Sequence, residues 1–282
     1  MGGSPNVPLN LRVQVWLETV PALLKALHVQ HVSIVSHSAG TIYALNTMYS
    51  LPEILDPERP YVALLAPWVH NEHSKATLMT LASTLPAGLI GSFDKVIRFM
   101  NARVAPVTMW SGDIISSVAQ SFKTSPSDSA SGEPTAAEKY GMGQEVGEII
   151  EKLQFKWFLA ESTQAVNEDA LLCLKKSGTG CWGACEDYEE YARLLTKQRE
   201  QRHSLDTSGA KLTVDVFFSE SDIMIGKGGQ RYFERIWEQD GVADTIDVNT
   251  AVMAGTNHDT VILDLKKGAL KTAFERITNA SG

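Results

Sequence analysis

The chain has 282 residues, of which 44% are hydrophobic and 21% are charged, a composition typical of one globular domain with at most a small accessory domain. Its 25 Lys and Arg residues against 33 Asp and Glu residues give a formal net charge of −8, which argues against nucleic acid as a partner. The sequence has no signal peptide, no stretch suited to span a membrane and no peroxisomal tripeptide, so we expect a cytoplasmic protein.

The first predicted elements are a helix, a buried strand and a second helix. Apolar residues recur at helical spacing over 11–27, with Asn10 as the predicted N-cap. Pro21 predicts a kink or a later start, because proline lacks the N–H that a helix interior uses. Residues 31–36 are short, β-branched and apolar on both faces, which predicts a strand inside a parallel sheet. A helix over 40–49 follows.

Three further strands are predicted at residues 61–66, 211–218 and 246–253. Helices follow them, notably at 229–239 and 263–277. This alternation predicts an α/β fold with a mostly parallel sheet and helices on both faces.

Residues 67–210 separate the second strand from the third and are too many for a simple connection. We predict that they form a mostly helical cap, with helices at 144–159 and 188–202. Small and polar residues near 123–135 lack an apolar anchor, which predicts a flexible loop there. The predicted core comprises residues 1–66 and 211–282.

A buried strand runs directly into a helix through small residues in the segment 32–40, VSIVSHSAG. This is the pattern of a nucleophile elbow, in which Ser36 stands where the first glycine is usual. Ser36 and Gly40 are small enough to let the strand and helix approach each other. Ser38 is the candidate nucleophile, and the Ala39 N–H is the candidate oxyanion donor. A chance serine-rich turn is the alternative that this segment alone leaves open.

A serine nucleophile needs a base, and the base needs an orienting carboxylate. Asp222 follows the third predicted strand, and His258 follows the fourth. Serine, aspartate and histidine in this order, each after its own strand, match the order in α/β-hydrolases. Glu220 remains an alternative to Asp222 as the carboxylate.

These three segments resemble the α/β-hydrolase superfamily, and the elbow resembles most closely enzymes of filamentous-fungal type. The resemblance implies an α/β-hydrolase fold, with Ser38 as nucleophile, His258 as general base and then acid, and Asp222 fixing the histidine tautomer. It implies acyl transfer to water from an ester or related carbonyl substrate, as in an esterase or thioesterase, with a role in secondary metabolism as an expectation.

The resemblance also implies strands before residue 32 that this sequence does not contain. We therefore expect an N-terminally truncated α/β-hydrolase fold that lacks one oxyanion donor and has an exposed sheet edge. Pairing of two such edges would form a homodimer. Two alternatives stay open: a catalytically impaired scaffold or fragment, and a lyase or cyclase that uses the same three residues.

His37 and Trp68 are predicted to contact a hydrophobic small-molecule substrate. Other aromatic and methionine side chains of the cap either line the same pocket or hold the cap together: Trp110, Trp157, Phe158, Trp182, Met79, Met100 and Met109.

Three cysteines, Cys173, Cys181 and Cys185, are too few for a disulfide framework and lack the further ligands of a zinc site. We predict no metal and no cofactor. Asp215 is predicted to be structural, Asp259 to begin a helix, and residues 226–229 to form a loop that enters a helix.

Overall fold

The computed structural model of this protein describes residues 6–91, 164–176, 178–203 and 210–279, together with isolated positions between 141 and 157. The predicted loop near 123–135 and most of the predicted helix over 144–159 lie outside the described residues.

Four parallel strands form one sheet, and their order in the sheet follows their order in the chain. They are β1 (Ile34–His37), β2 (Tyr61–Leu65), β3 (Leu212–Ser221) and β4 (Ile246–Asn257). All four predicted strands are confirmed, and so is their parallel arrangement. Since parallel strands end at the same edge, the loops after β1, β3 and β4 lie at one edge of the sheet.

Helices connect and cover the strands. Among the described residues, in chain order, they are α1 (Arg12–Leu27), α2 (Gly40–Ser50), α3 (Asn71–Ser74), α4 (Thr77–Thr84), α5 (Ala87–Ile90), α6 (Gln164–Cys173), α7 (Tyr188–His203), α8 (Gly226–Arg235), α9 (Val242–Thr245), α10 (Thr260–Leu263) and α11 (Leu270–Asn279). In the described part of the chain, no helix combines the length and the apolar character that crossing a membrane requires.

Both faces of the sheet are buried, as the run of apolar residues in β2 predicts. Val62 and Leu64 belong to the larger hydrophobic cluster, together with side chains of α2, α7 and α8. Ala63 and Leu65 belong to a second cluster with side chains of α10 and α11. All four residues are fully buried. The alternation places helices on both faces of the sheet, as predicted.

The predicted helix over 11–27 is confirmed as α1, but its predicted N-cap is wrong. A 3-10 turn, Leu9–Leu11, leads into the helix, and the N-cap residue is Leu11, which makes no side-chain capping bond. Asn10 is therefore not the cap. The helix begins at Arg12 and includes Pro21, so the later start is also wrong. Arg12 forms ion pairs with two acidic residues of α6, at 2.5 Å each, which anchor this first turn.

Two other boundaries differ from the predictions. Helix α8 begins at Gly226, so residues 226–229 form its first turn and not a preceding loop. The close approach of α3 explains Gly228, because a Cβ there would collide with the Ser74 carbonyl oxygen. The predicted helix over 263–277 is instead the separate helices α10 and α11.

Helix α7 and the chain before it pack on the same core as the sheet. Tyr191 is fully buried and donates a hydrogen bond to the Leu45 carbonyl. Asn46 of α2 donates to the Trp182 carbonyl at 2.7 Å and accepts from the Ala184 N–H at 2.8 Å. The division into a core and a cap of residues 67–210 stays a prediction.

Candidate active site

Three side chains from separate loops meet at the carboxyl edge of the sheet. Ser38 follows β1 directly, Asp222 follows β3, and His258 follows β4. His258 Nε2 lies 2.8 Å from Ser38 Oγ, and His258 Nδ1 lies 2.8 Å from Asp222 Oδ2. The structure thus brings the three sequence-predicted residues into one hydrogen-bonded chain.

Ser38 has a backbone conformation that L-amino acids rarely adopt. Its φ is +52°, in the left-handed region that costs a residue with a Cβ about 1–2 kcal/mol. Hydrogen bonds hold it there: its N–H donates to the Leu65 carbonyl at 3.0 Å, and its carbonyl accepts from the Thr41 N–H at 2.9 Å. This sharp turn presents the Ser38 hydroxyl at the edge of the sheet.

Small residues on either side of Ser38 permit this turn. A Cβ built on Gly40 would lie 3.4 Å from Ser36 Cβ, so a single extra carbon there just reaches contact. Ser36 therefore fits in the place where glycine is usual. Its Oγ is buried and has no hydrogen-bond partner among the described residues.

The Asp222 carboxylate is held by four donors. Oδ1 accepts from the Met224 and Ile225 N–H groups, each at 2.9 Å, and Oδ2 accepts from Ser219 Oγ at 3.2 Å and from His258. Burial by itself opposes ionisation, but the hydrogen bonds from His258 and from the backbone outweigh it and lower the pKa of Asp222. Asp222 is therefore a carboxylate at neutral pH.

The bonds of His258 define its tautomer. A carboxylate only accepts, so Nδ1 carries the proton and donates it to Asp222. Nε2 then has a free lone pair, which accepts the Ser38 hydroxyl proton. The His258 side chain is 8% exposed. In this state the imidazole is set to take a proton from Ser38.

The loop that carries His258 has anchors that the sequence interpretation missed. Asn257 Oδ1 accepts from the N–H groups of Asp259 and Thr260 and from Thr260 Oγ1, while Thr260 Oγ1 accepts from the Asn257 N–H. Asn-x-x-Thr at the start of a helix is the signal that could have revealed this turn.

Strand β4 reaches this loop through an irregularity. Ser219 pairs with Met253, but Ser221 pairs with Asn257, so β4 contains extra residues there. Gly255 lies in this bulge with a φ of +70°, and its N–H donates to Glu220 Oε2 at 2.8 Å. The bulge extends β4 beyond the predicted end at residue 253 and changes its direction before His258.

This contact also defines the role of Glu220. Its carboxylate binds the Gly255 backbone, whereas Asp222 binds His258, so the alternative of Glu220 as the orienting carboxylate is wrong. Asp259 is the N-cap residue of α10, as predicted, although its side chain makes no capping bond. Asp215 is 1% exposed and accepts from Tyr61, Asn249 and Arg276, which agrees with a structural role.

The two predicted substrate contacts, Trp68 and His37, differ in their surroundings. Trp68 is 2% exposed and its indole donates to the Cys173 carbonyl at 3.1 Å. Its side chain is a core residue, which corrects the prediction that it contacts substrate. His37 Nε2 lies 2.7 Å from the His258 carbonyl oxygen. The centroids of the His37 and His258 rings are 5.1 Å apart. His37 thus faces the loop of His258.

Ala39 is the N-cap residue of α2. Among the described residues, its N–H has no hydrogen-bond acceptor, which leaves it available to a ligand at Ser38. A cavity of about 240 Å³ adjoins Asp222. Its lining includes apolar Phe218 and Ile223 and charged Glu220 and Lys227, but neither Ser38 nor His258. The described residues include no cluster of three metal-ligating side chains.

Comparisons with known proteins show similarity of fold but no similarity of sequence to a known family. Neither a protein-family model nor a curated protein sequence matches this chain. Among solved structures, a hydrolase from Oleispira antarctica aligns with a TM-score of 0.50 at 11% identity, over 98% of this chain and 76% of that one. The peroxisomal alpha-beta-hydrolase Lpx1 of Saccharomyces cerevisiae aligns with a TM-score of 0.45 at 10% identity, over 98% of this chain and 60% of that one. Together with the parallel sheet and its covering helices, the first likeness shows that the chain has an α/β-hydrolase fold.

Proposed function

We propose that this protein is a serine hydrolase that acts on an ester or related carbonyl substrate. In this proposal Ser38 is the nucleophile, His258 is the general base and then the general acid, and Asp222 holds the imidazole in the correct tautomer. The observation that carries the proposal is the pair of 2.8 Å hydrogen bonds that joins the three side chains, on a serine with the left-handed backbone of a nucleophile elbow.

The first half of the reaction forms an acyl-enzyme. Ser38 Oγ attacks the substrate carbonyl carbon while His258 Nε2 takes the hydroxyl proton. The Ala39 N–H donates to the oxygen that gains negative charge, and the Asp222 carboxylate stabilises the imidazolium. When the tetrahedral intermediate collapses, the bond to the leaving alcohol or thiol breaks, and His258 returns the proton to that group.

The second half releases the acid. His258 Nε2 takes a proton from water, the resulting hydroxide attacks the acyl carbon, and the bond to Ser38 Oγ breaks as the proton passes to that oxygen. The enzyme returns to its starting state, and the two half-reactions together consume one substrate molecule and one water molecule. The overall reaction is acyl transfer to water.

The substrate in this proposal is a small molecule with an apolar group. This choice rests on the aromatic and methionine side chains that the sequence places in the predicted cap. An esterase or thioesterase acting in the cytoplasm, in fungal secondary metabolism, is the finer form of the proposal, and a homodimer through the sheet edge is a further part of it. The esterase class and the fungal setting rest on the sequence resemblance. The location rests on the targeting signals that the sequence was searched for, and the homodimer rests on the expected exposed sheet edge.

Hydrolysis of a series of p-nitrophenyl esters of increasing acyl length tests the proposal. We expect turnover by the parent chain, the same turnover by Ser50→Ala, whose serine is exposed at the end of α2, and loss of about 10³-fold or more in Ser38→Ala. Equal turnover by both variants would contradict the assignment of Ser38. A folded parent without turnover would favour the impaired scaffold, and conversion of a substrate without uptake of water would favour the lyase or cyclase.

A further inference from the structure

The residue before the candidate nucleophile contacts the residue that serves as its base. His37 ends β1, and its Nε2 lies 2.7 Å from the main-chain carbonyl oxygen of His258, 221 residues further along the chain. This contact joins the last residue of β1 directly to the loop after β4. It is separate from the bonds that the His258 imidazole makes to Ser38 and Asp222.

The chemistry of the contact assigns the proton. A carbonyl oxygen only accepts, so His37 Nε2 carries the hydrogen and donates it. Burial, and then the neighbouring His258, lower the pKa of His37, while Asp259 and Asp222 act in the opposite direction. The ring is therefore neutral at pH 7, and it adds no positive charge beside His258 when that imidazole takes a proton.

Other contacts hold the loop around His258, and one of them, from the Asp259 N–H to Asn257 Oδ1, reaches the peptide group that contains the His258 carbonyl. The Asn257 and Thr260 side chains bond to each other and to the N–H groups of residues 257, 259 and 260. The carbonyl of His258 takes its side-chain bond from His37. Rotation of that peptide would move the imidazole relative to Ser38 Oγ, and a displacement of about 1 Å in such a site costs about 10²-fold in rate.

We propose that His37 is a positioning residue, which holds the main chain of His258 so that its imidazole stays directed at Ser38 Oγ. This inference rests on the proposed function and deepens it. It replaces the sequence-based prediction that His37 contacts substrate with a role that acts through His258.

Two variants of His37 separate this role from a structural one. His37→Gln keeps an N–H donor at similar reach, and His37→Leu keeps an apolar body but has no donor. With a p-nitrophenyl ester as probe, we expect His37→Leu to lower kcat by about 10- to 100-fold and to leave KM within about twofold. We expect His37→Gln to retain kcat within about threefold of the parent.

Three results would overturn the proposal. One is a parent-like kcat in His37→Leu. Another is an equal loss in both variants, which would indicate packing of the ring and not its donor. The third is a change confined to KM, which would indicate a substrate contact. Urea unfolding of each variant shows that it is folded, and His37→Met, whose flexible side chain also lacks a donor, replaces His37→Leu if that variant does not fold.

A spectroscopic measurement keeps this inference independent of turnover. The His258 Nδ1 proton, hydrogen-bonded to Asp222, gives a low-field proton resonance that is assigned by its loss in His258→Ala. We expect the resonance to be unchanged in His37→Gln and broadened or shifted in His37→Leu. If the parent hydrolyses no ester but shows this pattern, the proposed function fails and the positioning role stands. An unchanged resonance in His37→Leu would refute the positioning role.

Discussion

Ser38 Oγ and His258 Nε2 lie 2.8 Å apart, but different interactions hold the two residues in place. The Ser38 turn depends on shape: its backbone is in an unfavourable region, and two small neighbours make room for it. The His258 loop depends on polar contacts from Asp222, Asn257, Thr260 and His37. We therefore expect added bulk to damage the first region and loss of hydrogen bonds to damage the second.

The largest expected effect follows from Asp222→Asn in the polar region. Because Oδ1 accepts two backbone N–H groups, the oxygen of the introduced amide would stay there and its NH₂ group would face His258 Nδ1. That places the imidazole proton on Nε2, where it cannot accept from Ser38. We expect ester hydrolysis to fall about 10⁴-fold with the fold retained. Asp259→Asn is the matched control, and a loss below tenfold in Asp222→Asn would contradict this account.

A larger side chain at position 40 tests whether the Ser38 turn depends on small neighbouring residues. The built Cβ at Gly40 already reaches 3.4 Å from Ser36 Cβ, so the two methyl groups of Gly40→Val overfill the space. We expect it to lower the free energy of unfolding in urea by about 1–3 kcal/mol and to slow ester hydrolysis, whereas Gly40→Ala has a smaller effect. Adding Ser36→Gly to Gly40→Val should recover part of the loss. Strictly additive effects would show that the two positions do not crowd each other.

Removal of a polar anchor gives the corresponding test near His258. Asn257→Ala deletes the oxygen that accepts three hydrogen bonds and leaves the Asp259 and Thr260 N–H groups without it. We expect a loss of about 1–3 kcal/mol in the free energy of unfolding together with slower hydrolysis. Asn257→Asp, which keeps an acceptor, should retain more of both, and equal losses in the two variants would contradict the polar explanation.

Unlike the preceding substitutions, one that relieves backbone strain at Ser38 should raise the free energy of unfolding. Glycine adopts positive φ without the cost that a Cβ imposes, so Ser38→Gly should unfold at a higher urea concentration than Ser38→Ala. We expect a difference of about 1 kcal/mol in favour of glycine. Both variants lack the hydroxyl, which makes the comparison one of backbone alone. A less stable glycine variant would show that the turn at Ser38 is not strained.

The smallest expected effect concerns pH and the contact between the two regions. Burial lowers the pKa of both His37 and His70 below 6.5 in the folded protein. The neighbouring His258 lowers the pKa of His37 further, and the neighbouring Lys175 does the same for His70. The unfolded chain then binds more protons, so the free energy of unfolding should fall as the pH drops below about 6.5. His37→Gln should reduce this slope between about pH 7.5 and about pH 5.5. An unchanged slope would contradict the lowered pKa of His37.

The sequence was sufficient to predict the strands and the edge at which Ser38, Asp222 and His258 meet, because buried parallel strands have continuous apolar runs that end in short loops. It was insufficient for contacts between distant segments. The buried Trp68 indole donates to the Cys173 carbonyl, 105 residues further along the chain, and His37 contacts the carbonyl of His258, 221 residues further along. At the start of α1, ion pairs join Arg12 to α6, and the N-cap residue is Leu11, not Asn10.

The most direct test of the central claim is the labelling of the purified chain by a fluorophosphonate, followed by intact mass measurement and peptide mapping. The proposed function predicts one adduct, on Ser38, formed with loss of fluoride, and its absence from Ser38→Ala and His258→Ala. His31→Ala, which changes an exposed histidine, should label like the parent. An adduct on another residue, or a folded parent that takes up none, would contradict the assignment of Ser38 as an activated nucleophile.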